Sequence, residues 1–79
     1  MTVEYRDEEA VFQGTVGAED AEALLEWLQG RPGRRVDLTA CRHLHSSSLQ
    51  VLMAIHPLVA AWPEDSELAT WLQSALRTV

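Results

Sequence analysis

The residues best suited to chemistry lie in one short central segment: Cys41, His43, His45 and the triplet Ser46-Ser47-Ser48. Cys41, His43 and His45 alternate, so on an extended segment all three would point to one side, where a thiolate and two imidazoles form a zinc-type donor set. A tetrahedral centre needs a fourth ligand, which only His56 or a carboxylate could supply. The expected arrangement is instead a small buried Cys41 and a histidine pair at a strand-to-helix loop, with no metal and no cofactor. Ser46, His45 and Asp37 have the residue types of an acyl-transfer triad, but neighbours in sequence are poorly placed to align as Ser, His and Asp. The chain also has no Gly-x-Ser-x-Gly elbow and no Gly-rich phosphate loop. Catalysis is not expected.

The serines carry a different chemistry. They precede an apolar run (Leu49, Val51, Leu52, Met53, Ile55, Leu58, Val59), and Ser47 with Gln50 has the spacing of a capping box. A helix start exposes unpaired N–H groups and the positive end of the dipole. A phosphate on Ser46 or Ser47 is therefore tolerated there, and it adds about two negative charges to a recognition surface. The competing reading is that the serines only cap the helix, a contribution of about 1 kcal/mol.

The elements that must position this segment follow from periodicity. Residues 2–6 alternate around Val3 and Tyr5, Asp7-Glu8-Glu9 makes a polar turn, and Ala10 to Val16 completes an expected antiparallel hairpin. Ala18, Ala21, Leu24, Leu25 and Leu28 recur at helical spacing before Gly30, which predicts a helix over residues 18–29. Arg31-Pro32-Gly33-Arg34 breaks the chain, and residues 35–38 read as a short buried strand. The second helix begins at the serines, and Pro57 should kink or end it, so that residues 58–62 leave at an angle. After Pro63, Glu64-Asp65-Ser66-Glu67 opens a third helix ending near Arg77, with Leu68, Trp71, Leu72, Ala75 and Leu76 on one face. The expected fold class is α/β: one small domain over residues 1–79, with a mixed sheet of three or four strands and about three helices packed on it.

The segment from Val36 to Leu52 resembles the central motif of the STAS domain family, the anti-sigma factor antagonists and their relatives. In that family a strand ending in Asp-Leu-Ser leads to Asp-Ser-Ser-Gly-Leu at the start of a helix. Asp37-Leu38-Thr39 matches the first part, and His45-Ser46-Ser47-Ser48-Leu49 stands at the spacing of the second without a gap. The hairpin with Gly14, the helix after it and the final acidic-capped helix also fall in the family's order, so the resemblance covers nearly the whole chain. There are departures: His45 replaces the family's Asp, Ser48 replaces its Gly, and there is room for only a very short fourth strand. The resemblance implies a non-enzymatic protein-interaction module in which a partner kinase modifies Ser46, with Ser47 as second choice. It further implies that the unmodified form binds that kinase to release a transcription factor. The implied partner surface is Arg42, His43, His45, Ser46, Ser47, Ser48 and Gln50. A second expectation is a constitutive scaffold or accessory subunit of a larger complex, as in transport-associated members, using the same face without modification. The residue pair His45 and Ser48 leans toward it.

Composition narrows the partner. The 79 residues include 6 arginines, no lysine and 12 acidic residues, for a formal charge of -6 that repels phosphate backbones and anionic lipid. A protein partner is expected, and nucleic acid is not. The uncharged stretch from His43 to Pro63 contains three histidines, Gln50, the serines and Pro57, which makes a poor membrane span. The N-terminal run is acidic from Glu4 and lacks the basic-then-apolar order of a secretory signal, so the expected location is the cytoplasm. One cysteine excludes an internal disulfide. Trp27, Trp62 and Trp71 are read either as partner anchors or as core, with Trp71 completing the core and Trp27 lying against the sheet or helix flank. Arg31, Arg34 and Arg35 are read as a solvated loop. The short N-terminal strand leaves an edge through which a homodimer could form.

Overall fold

Alternating apolar residues build the hairpin. Strand β1 (Val3–Tyr5) runs antiparallel to β2 (Glu9–Val16), with Val3 opposite Phe12 and Tyr5 opposite Ala10. The turn closes through the Arg6 amide, which donates to the Glu9 carbonyl at 2.8 Å. The computed structural model describes residues 2–31 and 33–77, so Pro32 of the expected chain break lies outside the described residues. A short 3-10 turn (Ala18–Asp20) leads into α1 (Ala21–Gly30), so the regular helix starts later than its apolar spacing suggests. Asp20 fixes this junction: its Oδ2 accepts from the Thr2 hydroxyl at 2.6 Å and from the Gly17 amide at 3.2 Å.

Next come β3 (Arg35–Leu44), α2 (Ser46–Ile55), β4 (Leu58–Ala61) and α3 (Ser66–Arg77). The sheet order is β1-β2-β3-β4, with β3 parallel to β2 and β4 parallel to β3. Helices α1 and α2 are thus the crossover connections that parallel neighbours require. The architecture is the α/β class expected, a four-stranded mixed sheet with three helices.

Strand β3 corrects the sequence reading. Residues 35–38 are only its first part, because pairing with β2 continues to Leu44. Ten residues of β3 lie along eight of β2, and the register shifts twice, between Val11 and Gln13 and between Gly14 and Thr15. Both extra residues belong to β3, so each shift is a bulge on that strand. Gly14, at φ +64°, takes a left-handed conformation that suits glycine beside the second bulge. The Asp37 carboxylate accepts from the Thr39 amide at 2.9 Å and so holds the chain at the first bulge. The buried residues of β3 are therefore Val36, Leu38, Cys41 and Leu44, spaced by two, three and three rather than by strict alternation.

One face of the sheet carries the core. Val3, Ala10, Phe12, Val16, Val36 and Leu38 pack with Leu24 and Leu28 of α1, Leu49 and Leu52 of α2, and Leu72 of α3. The opposite face carries Glu9, Val11, Gln13 and Thr15, none of them buried. Helix α2 stops at Ile55 because His56 adopts a left-handed conformation (φ 53°) and its amide donates back to the Leu52 carbonyl at 2.9 Å. Pro57 therefore follows a finished helix instead of kinking it, and Leu58 enters β4. Asp65 caps α3, accepting from the amides of Glu67 and Leu68 at 3.0 and 3.1 Å. Trp71 departs from its expected core position: it is 49% exposed, while Leu72 beside it is buried. Among the described residues no helix is long and apolar enough to cross a membrane.

The Asp37 bond predicts that Asp37→Ala lowers stability by about 1–2 kcal/mol, because a backbone donor at the bulge loses its acceptor. Asp37→Asn, which keeps an oxygen at that position, should lose much less. Urea unfolding of the three proteins checks this.

Candidate functional site

The first bulge lies upstream of the candidate segment and the second within it, and together they decide which way its side chains point. In the regular part of the ladder, His43 pairs with Thr15, and its side chain is exposed. Cys41 is buried, with its Sγ–H donating to the His43 carbonyl at 3.6 Å. Arg42 is the extra residue between them. The alternation that would have put Cys41, His43 and His45 on one side is broken there, so the thiol faces the core while both imidazoles face solvent. Among the described residues, no group of three His, Cys, Asp or Glu is arranged to hold a metal ion. Burial also pushes the Cys41 thiol above its ordinary pKa, which keeps it protonated and poorly nucleophilic.

The start of α2 is built on His45, which makes three backbone-directed bonds. Its amide donates to the Val16 carbonyl at 2.9 Å, extending the β2–β3 pairing to the last residue before the helix. Its carbonyl accepts from the Leu49 amide at 3.0 Å, the first bond of the helix. Its Nδ1 accepts from the Ser47 amide at 3.0 Å. His45 is therefore the N-cap, and the capping box proposed for Ser47 and Gln50 does not form. The acceptor role places the ring proton on Nε2.

The three serines have three different surroundings. Ser46, the first residue of α2, is exposed, and its hydroxyl makes no hydrogen bond among the described residues. Ser47 is half-buried, and its amide is capped by the His45 ring. Ser48 is 0% exposed, and its Oγ donates to the Gly17 carbonyl at 3.3 Å, tying the start of α2 to the loop before α1. Ser48 therefore cannot belong to a partner surface, which corrects its assignment from sequence. Its small hydroxyl serves the close approach of the two loops.

Where the sequence predicts a strand-to-helix loop around the histidine pair, residues 42–48 are the end of β3 joined to the first turn of α2. Arg42, His43, His45, Ser46 and Gln50 are all exposed, and Ser46 and Gln50 share a helix face at i and i+4. This surface lies at the carboxyl ends of the parallel strands β2 and β3, the end of an open α/β sheet at which sites are generally built. Arg42 is the only residue with a full charge between Leu38 and Pro63. Glu64 and Asp65 line the same cleft as Arg42 and offset its charge.

The other sequence candidates are placed as follows. Trp27 is half-buried on α1, with its ring 5.3 Å from that of Tyr5 and beneath the Arg34 guanidinium at 4.5 Å. The arginine cluster is not a freely solvated loop: Arg31 pairs with Glu8 at 2.9 Å, Arg35 pairs with Glu9 at 3.0 Å, and Arg34 is held on Trp27. No protein-family model matches the chain, and a search of curated proteins finds no match.

Two outcomes follow from this geometry. His45→Ala should lower stability by about 1 kcal/mol and speed hydrogen exchange at the Ser47 amide, whereas His45→Asn supplies another capping oxygen and should restore both. Because the buried thiol resists ionisation, the unfolded state loses its proton first. This contribution to stability is complete below the ordinary thiol range and is lost as pH rises through the raised folded value. A Cys41→Ala variant should lose less stability than the parent above about pH 9, and native Cys41 should react with a thiol reagent far more slowly than the unfolded chain.

Proposed function

We propose that the chain is a non-enzymatic protein-interaction module of the STAS kind, acting in the cytoplasm and switched by phosphorylation of Ser46. The observation that carries this reading is the difference among the serines: Ser48 is locked to Gly17, Ser47 is half-buried at the cap, and Ser46 alone offers an exposed, unbonded hydroxyl. The element order gives further support. A hairpin, a crossover helix, a central strand bearing Asp37-Leu38-Thr39, a helix opening at His45-Ser46, a short fourth strand and a final helix agree with the order implied by the resemblance. A phosphoryl group on Ser46 would sit at the positive end of α2, where it costs little folding energy. It would add about two negative charges to the surface formed by Arg42, His43, His45 and Gln50. A protein docked on that surface would then be released.

One observation favours a second reading, that of a constitutive scaffold using the same face. The position at which the resemblance places a carboxylate holds His45, whose Nδ1 is already committed to the cap. The two readings part in one experiment: capture of the tagged protein from its native cells as wild type, Ser46→Ala and Ser46→Asp, with intact mass measured on each bait. The switch predicts a phosphoryl adduct on wild type that is absent from both variants, and a partner lost only with Ser46→Asp. An unmodified bait holding the same partner in all three forms overturns it in favour of the scaffold.

A further inference from the structure

At the opposite end of β3 from Ser46, the loop after α1 and the segment joining α2 to β4 enclose a cleft of about 250 Å³. Its walls are apolar at Leu28, Ile55 and Leu58 and cationic or polar at Arg31, Arg34 and His56, and no acidic residue lines it. That is unusual in a chain with twice as many acidic as basic residues. Arg31 is partly compensated by Glu8, but among the described residues no carboxylate stands within ion-pairing distance of Arg34. The Arg34 guanidinium lies over the Trp27 ring and donates to the Trp27 carbonyl, while its Nε is buried with no hydrogen-bond partner. The negative end of α1 accounts for a cation near Trp27. It does not account for a buried guanidinium N–H left without an acceptor.

Two further features converge on the same place. Leu58 is 66% exposed, the most exposed large aliphatic side chain among the described residues. His56 holds a left-handed backbone at a helix end where glycine is the usual occupant. Across the shared wall of His56, Pro57 and Leu58 lies a second cleft of about 480 Å³, lined by Leu52, Val59 and Trp62 among others and bearing no charged residue. A cationic notch thus adjoins a longer apolar trough.

We propose that this pair of clefts binds a medium-chain alkyl carboxylate, with the carboxylate held by Arg34 and Arg31 and the chain laid over Leu58 toward Trp62. The carboxylate supplies the counter-charge that no side chain gives Arg34 among the described residues. The alkyl chain covers aliphatic surface that is otherwise left in water. This site is separate from the Ser46 surface, so its test does not depend on the reading given above.

The test is titration of the ¹⁵N-labelled protein with octanoate and, as an uncharged match, octanamide. The proposal expects octanoate to shift the amides of Leu28, Gly33, His56 and Leu58 saturably, with half-saturation at or below about 1 mM. It expects those of Ser46 to Ser48 to stay in place and octanamide to bind at least tenfold more weakly. Leu58→Ser and Arg31→Gln alter exposed side chains and should leave the fold intact, and each should weaken octanoate several-fold. Arg34→Gln should abolish saturation. Linear, non-saturating shifts, equal binding of octanamide, or shifts centred on Ser46 would each overturn the proposal.

Discussion

The pairing of β2 with β3 is the constraint on which the rest of the molecule depends. It joins the hairpin to the helical layer, and it is the longest ladder in the sheet. Because β3 uses ten residues to travel along eight of β2, the strand must shed two residues as bulges. Those bulges choose what is buried. They turn Cys41 and Leu44 inward after Leu38 and leave Arg42 and His43 outside. The last backbone bond of the pairing, from His45 to Val16, sets where α2 begins. The position of Ser46 is thus fixed by the sheet as much as by the helix.

The same bulges mark the boundary of what the sequence could disclose. The hairpin and all three helices were legible because their apolar residues keep a period of two or 3.6, whereas β4 was not, since Leu58 and Val59 read as the end of the apolar run of α2. Strand β3 kept period two only as far as Leu38, and spacings of three then resembled neither a strand nor a helix long enough to recognise. The zinc-type reading of Cys41, His43 and His45 assumed that the alternation continued, and the bulge at Arg42 removed that premise. The cap was hidden for a different reason: side-chain capping is read from Ser, Thr, Asp and Asn, so the serines drew the assignment from His45. Trp71 was placed on the buried face by spacing alone, yet Leu72 fills that position and the indole lies to the side. Nothing in the local pattern of Ser48 showed that its hydroxyl would be needed by a carbonyl thirty-one residues away.

The two ends of β3 present opposite kinds of surface. At its carboxyl end, α2 starts with exposed polar groups on a close-packed base, where Ser48 and Gly17 hold two loops together. At its amino end, α1 and α2 both finish, aliphatic side chains stand in water, and the arginines gather against the negative ends of the helices. The acidic side chains Glu8 and Glu9 neutralise two of these arginines from the hairpin turn. The third is held by Trp27 alone, whose ring attracts the charge and whose carbonyl accepts one hydrogen bond.

Using an imidazole as the cap of α2 has a consequence that a serine or aspartate cap would not have. Nδ1 can accept from the Ser47 amide only while it carries no proton. The rest of the ring stands in solvent beside Ser46, so a group that engages its other nitrogen acts directly on the hydrogen bond that starts the helix. The presentation of Ser46 is therefore coupled, through a single ring nitrogen, to what the exposed side of His45 meets.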